Sequence, residues 1–376
     1  MISPAGFGAL LSEFAENFES RGELGASVSV WIEGEEIISE AGGWFEAERR
    51  RPWTTRTLVP VYSATKAPAA ATLLLALDQH GLGPDTPVGE VWPGFPLPTA
   101  TFAELLSHQC GLAALDQRAS LWKHEEIVAA IEAQTPAWVP GEGHGYHPRT
   151  FGALMDEPVR RLTGGPLAWF WTSRVARPLD LDFWIGLPHS QHRRVATLYP
   201  GKASPADFKE GFYQAFQDQG SLTHRAFASP KDVRSVREMN DPKAWSAGFP
   251  AMGGIGTASA LAKFYQIISG RIPGPFSESI RAALATRIVD GDDLVLLKPT
   301  AFSCGCQLDP LDDIGRKHRH LYGPATKAFG HPGAGGSHAF ADPENGLSFA
   351  YVMNQMELSV MPGHRATSLI DALYGS

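Results

Sequence analysis

In the stretch PVYSATKAPAAATLLLAL (Pro60 to Leu77), Ser63 and Lys66 stand three residues apart at the head of an alanine-rich run. Residues at that spacing share one face of a helix, so the hydroxyl and the amine can meet. A serine in the first turn faces the positive end of the helix dipole. If a cleft shields Lys66 from water, its ammonium form is disfavoured, and the neutral amine can take the hydroxyl proton and turn Ser63 into a nucleophile. The same serine reads equally well as a plain N-cap. Pro68 limits where the helix begins, since proline is tolerated only near a helix start. The spacing alone is weak evidence, because Ser120-Leu-Trp-Lys123 repeats it. There the following HEEIVAAIEA is amphipathic, so Lys123 is expected to face water and Ser120 to act as a turn or cap residue. Ala69 to Leu77, by contrast, is an almost unbroken apolar run that fits a central buried helix.

The rest of the chain must supply the elements that position this pair. Its 376 residues are enough for one large core or two smaller ones. A hydrophobic content of 43% with 19% charged residues describes an ordinary globular protein. The net charge of -8 is spread out, with Arg49 to Arg51 the longest basic run, which disfavours nucleic acid as a partner. No apolar stretch approaches the roughly 20 residues of a membrane helix. The beginning, MISPAGFGALLSEFAENF, lacks the basic head and apolar core of a secretory signal. Phe7, Leu10, Leu11, Phe14 and Phe18 follow helical spacing instead, as an amphipathic helix does. Cys110, Cys304 and Cys306 make an odd count without framework spacing, which favours a reducing compartment, and a cytoplasmic location is expected.

ASVSVWIEGEEIISEAGG reads as a hairpin turning at Glu33-Gly34-Glu35, and Thr57 to Val61 as a short strand leading into Ser63. Helical patterns follow at 102–109, 124–134, 150–163, 167–176, 257–270 and 277–287. SHAFADPENGLSFAYVMN holds two strands joined at Asp342 to Gly346, and the chain closes on a helix bearing Ala366, Leu369, Ile370 and Leu373. The economical assembly is α/β (α+β). One antiparallel sheet is built from the N- and C-terminal segments (1–65 and 300–376) and flanked by terminal helices, with a large all-helical domain (66–299) inserted. The binding site then falls in the cleft between the two.

Several stretches in order carry a resemblance: SATK, LLSHQCGL (Leu105 to Leu112), WVPGEGHGYHPRTFGALMDEPVRRLTG (Trp138 to Gly164), FPAMGGIGTASALAKFYQ and GHPGAGGSHAFADPENGLSFAYVMN. Together they resemble the serine beta-lactamase-like and penicillin-binding-protein-like superfamily, and family VIII carboxylesterases in particular. The resemblance implies a nucleophile at Ser63, a base at Lys66, and Tyr146 as a relay that protonates the leaving group. It implies an oxyanion hole from the backbone N–H groups of Ser63 and Ala334, and substrate contacts at His331, Gly333 and Ala334. Two departures bear on substrate. His331-Pro332-Gly333 stands where the lactamases have Lys-Thr-Gly, and Tyr146-His147-Pro148 where many have Tyr-x-Asn. A histidine is a poorer anchor for an anion at pH 7 than a lysine. The expectation is a carboxylesterase on small or aromatic esters, without cofactor or metal. The alternatives are a beta-lactamase, a D-amino-acid peptidase or amidase, an acyltransferase, or a binding protein on the same fold.

Other candidates read as structure. Ser337 in GGSHA imitates a nucleophile elbow but precedes a strand, not a helix. His189/His192 and His318/His320 lack completing ligands and are expected on the surface. Cys304-Gly-Cys306 reads as strand, and GGIGTA lacks the spacing of a dinucleotide loop. The resemblance implies that His108 buttresses the loop near the motif-bearing helix. Trp122, Trp169, Phe170, Trp171, Trp184, Trp245 and Phe249 pack a core or line an apolar pocket.

Overall fold

The computed structural model of the chain describes residues 4–202 and 211–375; residues 203–210, inside the expected helical insert, lie outside the described residues. Helix α1 (Pro4–Glu19) leads into the hairpin β1 (Gly25–Ile32) and β2 (Glu35–Gly43). The turn between these strands holds Glu33 at φ 49° and Gly34 at φ 88°. From the other end come β6 (Val289–Asp292), β7 (Pro299–Phe302), β8 (Gln307–Leu308), β9 (Phe329–Pro332), β10 (His338–Asp342) and β11 (Leu347–Met353). The eight strands form one sheet in the order β2-β1-β11-β10-β9-β8-β7-β6, antiparallel throughout. Val28 pairs with Tyr351 across the seam where the two chain ends meet. The sheet takes its first C-terminal strand at Val289, so the β6–β7 hairpin straddles the boundary expected at residue 300.

Alternation along the strands explains why both faces are covered. Val28, Val30, Phe349 and Tyr351 face a core shared with Leu10 and Phe14 of α1 and Leu369 and Ile370 of the last helix, α4 (His364–Tyr374). Leu11 of α1 points outward, 38% exposed, because the apolar stripe is narrower than the sequence suggested. Ala350 and Val352 face the other way, toward α3 (Ala258–Ile268), where the Ser348 hydroxyl donates to the Ala262 carbonyl at 2.7 Å. Hydrophobic residues of α2 (Lys66–Asp78) are buried on every side, as its unbroken apolar run requires. Pro68 fits because a 3₁₀ turn at Ser63–Thr65 precedes α2 and leaves it in the first helical turn.

The insert is not all-helical. β3 (Val59–Pro60), β5 (Gly254–Gly256) and β4 (Phe183–Ile185) form a second, three-stranded sheet in that order. Glycine-rich GGIGTA therefore contains a strand followed by Thr257, whose side chain caps α3 by accepting from Ala260 N–H at 3.2 Å. A second correction concerns Cys304-Gly305-Cys306, which form the bend between β7 and β8 and not a strand. Gly305 holds φ 86° there, and a Cβ on it would lie 2.1 Å from Ala70 Cβ of α2. All three cysteines are buried and free. Among the described residues no helix is long and apolar enough to cross a membrane.

Candidate active site

Ser63 sits, half-buried, where β3 gives way to the 3₁₀ turn and then to α2. The residue before it, Tyr62, is held at φ 47° and ψ −127°, a conformation that a non-glycine residue keeps only where its neighbours over-determine it. Those neighbours are on β5. Val61 N–H donates to the Gly254 carbonyl at 2.9 Å, and the Thr65 hydroxyl accepts from Gly254 N–H at 2.8 Å while donating to the Tyr62 carbonyl. Thr65→Val removes both hydroxyl bonds and is expected to cost about 1–3 kcal/mol, read as a lower urea midpoint together with slower turnover. An unchanged midpoint would show that the strained turn does not depend on this hydroxyl.

Lys66 is wholly buried. Its Nζ lies 3.1 Å from Ser63 Oγ and donates to the carbonyls of Pro148 at 3.0 Å and Ala251 at 2.9 Å. Burial holds its pKa well below the ordinary lysine value, and the nearby Arg149 guanidinium pushes it the same way. A neutral primary amine has two hydrogens and one lone pair. With the hydrogens taken by the two carbonyls, the lone pair is left for the Ser63 hydroxyl. Arg149 is itself buried among main-chain acceptors, donating to Pro230 O at 2.9 Å, Val233 O at 3.0 Å and Asp232 O. Burial pushes the guanidinium down to about 10, so it stays charged at neutral pH.

Tyr146 is buried beside this pair, with Lys66 Nζ 4.8 Å from its ring centre. Burial raises the phenol's pKa, and a hydrogen bond with the Ser63 side chain partly opposes that rise. The loop bearing Tyr146 is held by two neutral histidines. His147 Nδ1–H donates to the Gly145 carbonyl at 2.7 Å and its Nε2 accepts from Leu112 N–H at 3.0 Å. Burial pushes its pKa down to about 3. His108, at φ 65°, accepts from His147 N–H through Nδ1 at 3.2 Å and packs its ring against Tyr146, Phe151 and Phe302. Its place is thus against the tyrosine loop.

His331 points from β9 toward the same centre, 6.0 Å from Tyr146 between ring centres. Burial, reinforced by Lys66, pushes it down to about 3. Its Nδ1–H donates to the Pro332 carbonyl at 2.8 Å, which leaves Nε2 as a buried acceptor with no partner among the described residues. Beyond β9, Gly333 N–H donates to Ser337 O at 2.6 Å and closes the turn carrying Ala334. Among the described residues neither the Ser63 nor the Ala334 N–H finds a main-chain acceptor. Gly333 presses on the strand leading to Ser63 so closely that a Cβ would lie 2.0 Å from Val61 O.

Ser63, Lys66, Tyr146 and His331 therefore converge, with Gly333 packed on the strand leading to Ser63, and the rival motif lies elsewhere. The Ser120 hydroxyl donates to Asp232 Oδ2 at 2.6 Å, while Lys123, largely exposed, pairs with Glu126 at 2.6 Å. His189, His318 and His320 are exposed and His192 half-buried. Trp122 and Phe249 stack edge-to-face and line a cavity of about 380 Å³ with Met252, Arg149 and Ala251. That cavity shares Ala251 with the lysine's carbonyl pair but none of Ser63, Lys66 or Tyr146. Trp171 is core, packed on Phe183 and Phe264, and Trp169 is 52% exposed. Sequence reasoning missed the acceptors of Pro148 and Ala251, together with Arg149, His147 and Asp293. Main-chain carbonyls carry no residue-type signal. The others depend on contacts across 35 to 147 residues of chain.

A sheet assembled from both chain ends, a helical insert, and a Ser-x-x-Lys pair at their junction define a serine hydrolase of the beta-lactamase and transpeptidase-like fold. Residues 11–373 match the model of the Beta-lactamase family, and the chain belongs to that family. It is 28% identical over 368 residues to the Mycobacterium tuberculosis protein "Esterase/beta-lactamase LipL", covering 93% of this chain and 81% of that one. Among solved structures it is similar to a family VIII carboxylesterase, with a TM-score of 0.85 at 32% identity, covering 100% of this chain and 98% of the other. A penicillin-binding protein homologue from Caulobacter crescentus superposes with a TM-score of 0.84 at 31% identity over the same shares.

Proposed function

We propose that the protein is a serine carboxylesterase that works through an acyl-enzyme. The observation that carries this reading is the environment of Lys66, whose two carbonyl acceptors leave its lone pair for Ser63 Oγ. Ser63 Oγ attacks the ester carbonyl as its proton passes to Lys66 Nζ. The oxyanion that forms is held by the Ser63 and Ala334 N–H groups, which have no main-chain acceptor among the described residues. Tyr146 gives a proton to the departing alkoxide and recovers one from Lys66. Water then attacks the acyl-enzyme, passing its proton along the same groups, and releases the acid. An alcohol or amine taking water's place would make the same intermediate an acyl donor.

The preference for esters over beta-lactams rests on His331. A buried neutral imidazole offering an acceptor nitrogen repels a carboxylate where a lysine would bind it. Loss of one charge-assisted hydrogen bond corresponds to about a 10- to 100-fold handicap for a carboxylate-bearing lactam. Comparing kcat/KM for p-nitrophenyl acetate and butyrate with that for nitrocefin tests the preference, and faster nitrocefin turnover would overturn it. Peptide mapping after a fluorophosphonate probe tests the mechanism. Label is expected on Ser63, and label on another serine would refute the assignment.

A further inference from the structure

The relay tyrosine needs a fixed position, and the structure supplies an anchor for it from β6–β7. Asp293 follows β6 and is wholly within the protein, 2% exposed. Both its carboxylate oxygens accept from the Tyr146 N–H, at 3.0 and 3.2 Å. Oδ1 also accepts from Val295 N–H and Leu296 N–H, each at 2.8 Å, and Oδ2 accepts from the Thr300 hydroxyl at 2.9 Å. Thr300 Oγ1 in turn lies 2.8 Å from His144 Nε2, two residues before the tyrosine. A second tie runs along the backbone, where Leu294 N–H donates to the His144 carbonyl at 3.0 Å.

We infer that Asp293 is a positioning residue for the reaction, holding the main chain of Tyr146 so that the phenol meets Ser63 and Lys66. This rests on the Ser63–Lys66–Tyr146 reading. The carboxylate does two separable jobs. Toward its own chain it caps the turn at Val295 and Leu296, as a short polar side chain does two and three residues on. Toward Tyr146 it reaches 147 residues back in sequence and accepts the N–H of the relay residue. The local cap needs one acceptor oxygen, while the long-range tie uses both and the full length of the aspartate. Burial raises the carboxyl's pKa, and the N–H donors arrayed on it pull the other way. Burying a carboxylate is costly unless hydrogen bonds offset it, and here the Tyr146, Val295, Leu296 and Thr300 donors do so.

The two jobs separate by substitution. Asp293→Ser keeps a short acceptor for the turn but loses the reach to Tyr146. Asp293→Asn keeps Oδ1, and with it the Tyr146, Val295 and Leu296 contacts, while its amide donates to Thr300. With p-nitrophenyl acetate, Asp293→Ser is expected to lower kcat about 10- to 100-fold with KM within about twofold. Asp293→Asn should recover most of that loss. In a Tyr146→Phe background, where there is no phenol to place, Asp293→Ser should cost less than about twofold in kcat/KM. Wild-type kcat in Asp293→Ser overturns the inference, as does the same loss in both backgrounds. So does failure of Asp293→Ser to fold, since the carboxylate would then serve the fold. If instead Ser63→Ala retains the wild-type esterase activity, the Ser63 reading itself fails, and the two failures are told apart.

Discussion

Lys66→Met is expected to lower kcat/KM for esters by on the order of 10⁴-fold or more, the scale seen when a unit of nucleophile and base is broken. Methionine matches the lysine stem in length, so the buried volume stays filled while the lone pair disappears. The pH behaviour gives a sharper test. Burial and then Arg149 hold the Lys66 pKa well below 10.5 in the folded chain. Wild-type kcat/KM should therefore rise with pH through that lowered value as the amine loses its proton. Replacing Arg149 by methionine removes a positive neighbour, and the acid limb should move to higher pH. The same shift acts on stability. Between the folded-state value and 10.5 the unfolded chain binds more protons at Lys66, so this residue's contribution to stability rises with pH across that window. Lys66→Met lacks that dependence. Its unfolding free energy relative to wild type should be most favourable at the acid end of the window and decline toward pH 10. Denaturant melts at several pH values would reveal this, and a difference independent of pH would mean that Lys66 is charged in the folded protein.

The sequence made the frame of this site legible for definite reasons. The alternation in SVSVWI and LSFAYVM requires strands with two covered faces, and ALLSEFAENF and ATSLIDAL require helices with one apolar stripe. The Ser-x-x-Lys pair was visible because helical geometry brings residues three apart together. Its context was visible because TLLLAL is apolar on every side and must be buried. Less visible was everything that passes through the main chain. Pro148 stands where the Tyr-x-Asn pattern of the resemblance has asparagine, which looked like a loss. Yet the Pro148 carbonyl accepts from Lys66 Nζ, so the lysine keeps an oxygen partner without an amide side chain. Residues 180–245 hold none of the stretches that carry the resemblance, but the carbonyls of Pro230, Asp232 and Val233 hold Arg149 beside the lysine. The small second sheet escaped notice because its strands are only two or three residues long. Their partners are far apart in sequence, and so short a run leaves no readable period.

Gly333→Ala is expected to lower kcat about 10³-fold, with a smaller effect on KM, because it strikes where two backbones meet. The added Cβ would stand 2.0 Å from the Val61 carbonyl oxygen and 3.1 Å from its carbon. A flexible side chain could swing aside, but these are main-chain atoms with fixed partners. Val61 N–H is bonded to Gly254 O on β5, and β9 is paired on both edges, to β8 and β10. The clash must therefore be relieved by separating the strand that leads to Ser63 from the turn that carries Ala334. Those two segments present the N–H groups proposed to hold the oxyanion. A spacing error of a few tenths of an ångström there weakens both donors at once, whereas the lysine–serine contact is local, spanning the 3₁₀ turn and the first residue of α2, and survives. The variant should accordingly remain folded, with stability lowered by about 1–3 kcal/mol, and Lys66 should still titrate as in the wild type. Labelling of Ser63 by a fluorophosphonate should slow in parallel with turnover, since phosphonylation develops charge on the same oxygen position. Wild-type kcat in Gly333→Ala would mean that the close approach of β9 to Val61 has no part in holding the oxyanion.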